Sequence, residues 1–143
     1  MPTTHRPLRL ACALCALFAL APLAHAQDDD TPPTGLQVTE VLLGTSLERG
    51  RVTNPQTEFS RTDQRIYAVI RLQNPSREAT SIRVAIERVD GPHRGGFSLD
   101  VPARRRYRTV ARFGAAHPAG RYRVVVRTED GTQLQSVELT ITE

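Results

Sequence analysis

From Leu36 to the end of the chain, apolar residues recur at every second position in short runs separated by turn residues. Side chains on a strand point alternately to its two faces, so this period specifies half-buried β-strands. Seven runs carry the pattern: 36–44, 65–73, 80–89, 96–101, 106–113, 121–128 and 133–141. The alternation places Ile66, Ala68, Ile70 and Leu72 on one face of the second run, and Ile82, Val84 and Ile86 on one face of the third. It does the same for Phe97, Leu99 and Val101, for Tyr107, Thr109, Ala111 and Phe113, for Tyr122, Val124 and Val126, and for Val137, Leu139 and Ile141. Asn74-Pro75-Ser76, Asp90-Gly91-Pro92, the Gly114–Gly120 loop and Asp130-Gly131 separate the runs, and each is turn chemistry. Residues 45–62 read as a long polar connection containing Gly50 and Asn54-Pro55. No segment sustains a helical period.

Seven short strands in one compact stretch predict an all-β fold, an immunoglobulin- or fibronectin-like antiparallel β-sandwich spanning residues 36–143. Tyr122 follows Gly120 just inside the sixth run. That is where a tyrosine corner would sit, its hydroxyl reaching back to an upstream backbone group. Gly120, Tyr122, Tyr107, Asp130 and Gly131 are therefore expected to be structural.

The segment before the sandwich has a different character. Arg6 and Arg9 precede the apolar run Leu10–Ala21, Pro22 breaks it, and Ala24-His25-Ala26 offers a small-x-small cleavage pattern. Residues 1–26 thus read as a secretory signal peptide, cleaved between Ala26 and Gln27, and the expected location is the periplasm or the extracellular space. The apolar run is shorter than the roughly 20 residues a membrane span needs. Residues 27–35, QDDDTPPTG, are acidic, Pro-rich and aperiodic, and read as a disordered N-terminus. Cys12 and Cys15 both lie in the leader, so the mature chain has no disulfide and must rely on an apolar core.

Every basic residue is Arg, and removing the leader leaves 17 of them against 15 acids. An Ala-rich leader and Arg without Lys suggest a GC-rich bacterial genome. The charge is unevenly placed: residues 94–127 hold nine Arg and one acid, Asp100. Arginine binds phosphate and carboxylate in bidentate fashion. Arg104, Arg105, Arg106, Arg108 and Arg112 are the candidate anion-binding residues. Alternation turns Arg106, Arg108 and Arg112 outward from the fifth strand, and Arg121, Arg123 and Arg127 outward from the sixth. In the expected topology these two strands belong to opposite sheets, so the rows diverge, and Glu87 and Glu138 neighbour the second row.

Catalytic chemistry is sparse. His93 and His117 sit singly in loops, no Gly-x-Ser-x-Gly occurs, and GPHRGG precedes a strand, not a helix. Three consecutive Asp residues at 28–30 lack the oxygen-ligand spacing of a calcium loop. The expected protein is not an enzyme and carries no cofactor or metal. It is a binding or structural module that meets an envelope protein through a sheet edge or the 45–62 connection. The alternative is a domain that binds an anionic polymer, lipopolysaccharide or an acidic polysaccharide, through its arginines. Nucleic acid is not expected, because the few aromatics are assigned to core faces.

The order of motifs resembles a bacterial domain-of-unknown-function family of envelope-associated immunoglobulin-like β-domains. It runs Pro55 and Phe59, then Tyr107-Arg108-Thr109, then Gly120-x-Tyr122-x-Val124, then Gly131-x-x-Leu134. This chain has no Trp, and Glu87-Arg88 stands where that family commonly carries a His-x-Trp element. The resemblance implies a fold and a compartment, and no reaction.

Overall fold

A computed structural model describes residues 35–92 and 95–143. The expected leader, the acidic segment as far as residue 34, and His93 lie outside the described residues. The described chain is all-β and sandwich-like. Its strands are β1 (Gln37–Gly44), β2 (Leu47–Glu48), β3 (Arg51–Val52), β4 (Glu58–Ser60), β5 (Arg65–Gln73), β6 (Thr80–Arg88), β7 (Phe97–Val101), β8 (Arg106–Gly114), β9 (Gly120–Thr128) and β10 (Gln133–Thr142).

Each of the seven alternating runs forms a strand, within a residue or two at its ends. The connection 45–62 departs from expectation. It carries three further short strands, which makes ten among the described residues. Two or three residues are too few to show a period, so these strands owe their form to their neighbours. The third of them, β4, runs parallel to β10 with Phe59 opposite Ile141, and Phe59 fills the core at 2 % exposure.

β1, β5 and β8 form one antiparallel sheet, and β4, β10, β9, β6 and β7 form a second. Between them lies one apolar cluster that includes Leu43, Phe59, Ile66, Ile70, Leu72, Ile82, Val84, Val124, Val126, Leu139 and Ile141. Leu43 and Phe59 apart, these inward residues are those the alternation selects, since one slip in register would turn a whole strand inside out. Phe97 departs from this pattern. It is 39 % exposed and packs against Phe113 with ring centroids 5.5 Å apart. β7 is an edge strand, and Phe97 lies at its first residue, opposite Val84, so it has a neighbouring strand on one side only.

The turns carry their own reasons. Tyr122 donates its hydroxyl to the Pro118 carbonyl at 2.7 Å, and its ring packs against His117. Gly120 opens β9, where an added Cβ would lie 3.3 Å from the Arg88 guanidinium. Gly131 takes φ 96 in the β9–β10 turn, a left-handed value that suits glycine. Beside it, the Asp130 carboxylate accepts from the Thr128 hydroxyl and from the Thr132 N–H.

Candidate functional site

The outer face of the β1-β5-β8 sheet is where the arginines gather. Alternation along β5 sends Tyr67, Val69 and Arg71 outward. Along β8 it sends Arg106, Arg108, Val110 and Arg112 outward. Register then sets the pairs: Arg71 lies opposite Arg108, Gln73 opposite Arg106, and Tyr67 opposite Arg112. Like charges facing each other across strands are destabilising. Glu40, opposite Arg71 on β1, relieves part of this with an ion pair of 2.9 Å.

The β2–β3 hairpin packs onto β5 and β1 beside these residues. Val69 on the outward face of β5 is only 2 % exposed, and Val52 of the hairpin is also buried; both lie outside the main core cluster. Close approach is possible because Gly44 has no side chain: a Cβ there would overlap the Val52 Cγ1. At the hairpin tip, the Arg108 Nη2 donates to the Arg49 carbonyl at 3.5 Å.

Two hollows result. One, of about 470 Å³, is lined by Arg51, Arg71, Arg106 and Arg108 together with Thr39, Leu72, Gln73 and Tyr107. The other, of about 820 Å³, is lined by Glu48, Arg49, Arg51, Val52, Thr53 and Arg108. Arg51 and Arg108 border both, so the two hollows adjoin within one arginine-lined groove. Five guanidiniums line it, against the single lining carboxylate of Glu48 and the Glu40 carboxylate paired to Arg71. Among the described residues, no ion pair engages Arg51 or Arg106. Guanidiniums crowded in this way repel one another, and an anion placed among them would relieve that repulsion and accept several charge-assisted hydrogen bonds.

The arginines marked by sequence therefore part company. Arg106 and Arg108 enter the groove. Arg112 shares their face but borders a separate hollow with Tyr67, Phe97 and Val110. Arg104 and Arg105 are exposed in the turn between β7 and β8, where the Arg105 carbonyl accepts from the Asn74 N–H at 2.8 Å. Arg49, Arg51 and Arg71 complete the groove without having been singled out. Arg71 could have been found by pairing the outward face of 65–73 with that of 106–113. Arg49 and Arg51 carried no signal, because only the hairpin's fold brings them to this sheet.

The β9 arginines meet a different fate on the outer face of the other sheet. Arg127 donates to both oxygens of Glu87, at 2.7 and 3.1 Å, and Arg123 lies 3.6 Å from the same carboxylate. Arg121 pairs with Glu138 at 3.1 Å. Hydrogen bonding to Glu87 holds the Arg127 guanidinium above its ordinary range, against burial, which acts to lower it. Unlike an exposed surface pair, the Glu87 side chain is fully enclosed. Among the described residues, no group of three His, Cys, Asp or Glu side chains could hold a metal ion, and no helix is long and apolar enough to cross a membrane.

No protein-family model and no curated protein matches this chain. Among solved structures, it is similar to a β-glucosidase from Listeria innocua in complex with glucose, at 12 % identity and a TM-score of 0.48. The match covers 76 % of this chain and 16 % of that one, so this chain spans a small part of that protein.

Proposed function

We propose that this is an exported, non-catalytic binding module of a bacterial cell envelope, whose ligand is anionic and whose binding surface is the arginine groove. The proposed scaffold is an immunoglobulin/fibronectin-like sandwich. In its support, β1-β5-β8 faces β10-β9-β6-β7, and the Tyr122 hydroxyl bonds back to Pro118 in the manner of a tyrosine corner. The leader-like residues 1–26 support export, and the motif order of the envelope-associated family supports the compartment.

One observation carries the ligand class: Arg51, Arg71, Arg106 and Arg108, drawn from three different strands, surround a single hollow. Simple solubility would be served by arginines spread apart in water. The test is retention on a heparin column across a salt gradient, with folding checked by circular dichroism. The wild type should be retained and released steeply with salt. Arg106→Ser/Arg108→Ser should abolish retention, whereas Arg104→Ser/Arg105→Ser should reduce it only slightly. Equal retention of the wild type and the Arg106/Arg108 variant would overturn the reading.

A second reading, contact with an envelope protein, has one observation in its favour: the exposed Phe97 on edge strand β7. Cross-linking in a periplasmic extract that Phe97→Ser abolishes would support it.

A further inference from the structure

We infer that a linear acidic polysaccharide lies along the two adjoining hollows, and that Arg49, at the tip of the β2–β3 hairpin, grips it. This rests on the anion reading of the groove and adds the ligand's form and the residue that grips it. A lone sulfate or phosphate could engage one or two guanidiniums. Here five line two adjoining hollows that share Arg51 and Arg108. A chain bearing an anionic group on successive units matches that arrangement.

The hairpin turn supplies the second argument. Arg49 and Gly50 are its two central residues, with φ 49 and φ 72. Two-residue turns with both values positive favour Asn-Gly, because Asn tolerates the left-handed region better than a long side chain does. Arg49 takes that unfavourable conformation without an ion pair among the described residues. Arg77 also takes a positive φ, of 56, in an exposed turn; Arg49 differs in facing a hollow lined by other arginines. Arg49 borders the larger of the two hollows, within reach of an anion bound there. Buried Val52 seats the base of the hairpin, while the Arg108 contact of 3.5 Å meets its tip.

The groove's lining favours a sugar over a nucleic acid. Tyr107 is the one aromatic that borders either hollow among the described residues, and successive bases need successive stacking surfaces. The Gln73 amide offers hydrogen bonds suited to sugar hydroxyls, and the Thr39 hydroxyl, which donates to the Arg71 carbonyl, can accept one.

The experiment is calorimetric titration with heparin-derived oligosaccharides of increasing length and with single-stranded DNA of matched charge. It uses the wild type, Arg49→Asn and Arg49→Lys. Wild-type affinity should rise at least tenfold from disaccharide to hexasaccharide. Arg49→Asn should weaken hexasaccharide binding several-fold and lower the slope of log K against log salt by about 1. It should also leave Tm unchanged or raise it by about 2–4 °C, since Asn suits the turn. Arg49→Lys should recover part of the affinity. Wild-type affinity for hexasaccharide with Arg49→Asn indistinguishable from it overturns the grip by Arg49 while the anion reading stands. A fall in Tm for Arg49→Asn makes the residue structural and overturns it too. Equal affinity for the DNA overturns the polysaccharide assignment, and failure of the wild type to bind any probe removes the anion reading itself.

Discussion

Replacing Glu87 by Gln should be the most damaging isosteric change in this domain. The side chain is fully enclosed, takes both Arg127 donors at 2.7 and 3.1 Å, and lies 3.6 Å from Arg123. The amide keeps the shape but removes the charge, which leaves two guanidiniums facing each other across one neutral oxygen. Removing one partner of a buried ion pair costs about 3–5 kcal/mol. Here the loss is smaller, because Arg127 and Arg123 remain 18 % and 27 % exposed and can turn toward water. A cost of about 2–3 kcal/mol follows. For a domain of this size, about 4 °C of Tm accompanies each kcal/mol, so Tm should fall by about 8–12 °C. Urea unfolding should show the same loss at an unchanged m-value. The deficit should persist in ~1 M salt, which screens exposed pairs far more than enclosed ones. A Glu87→Met/Arg127→Met double variant should lie closer to wild type than Glu87→Gln does, because it leaves only Arg123, the more exposed guanidinium, to lose its Glu87 contact. A Glu87→Gln shift below about 2 °C, or a double variant whose loss equals the sum of its singles, would refute the reasoning.

Acid stability should carry the mark of Asp130. The Thr128 hydroxyl, then the Thr132 N–H, hold its carboxyl below the usual value of 3.8. A group depressed on folding contributes stability that is present above its unfolded value and is lost as pH falls through its folded value. Asp130→Asn should therefore flatten the stability-against-pH curve below pH 3.8 while keeping a turn-compatible residue, and an unchanged acid limb would count against the assignment. Gly44→Ala should lift the hairpin from the sheet through overlap with Val52, at about 1–2 kcal/mol in urea unfolding, with weakened heparin retention. Wild-type retention in that variant would separate the hairpin from binding.

The period-two pattern was enough to place seven strands and the inward residues of most of them, because a half-buried strand has no other way to satisfy water on one side and a core on the other. Tyr122 was legible for a related reason: its chemistry is local, reaching a carbonyl four residues back. The three short strands of 45–62 were not legible. β4 exists because β10 offers it a free edge, and β2–β3 lies where it does because Gly44 admits Val52.

The charge cluster shows the same division. A run such as Arg104-Arg105-Arg106 is conspicuous in sequence, yet it splits between a solvent-facing turn and the groove. Local alternation determined that Arg106 and Arg108 face outward. It could not say which other cations share that face, because cross-strand register and hairpin docking join residues tens of positions apart. The tertiary structure alone decided that Arg49, Arg51 and Arg71 meet them, while Glu87 and Glu138 take up the β9 arginines. Coulomb energy depends on distance in space, and a sequence records distance only along the chain.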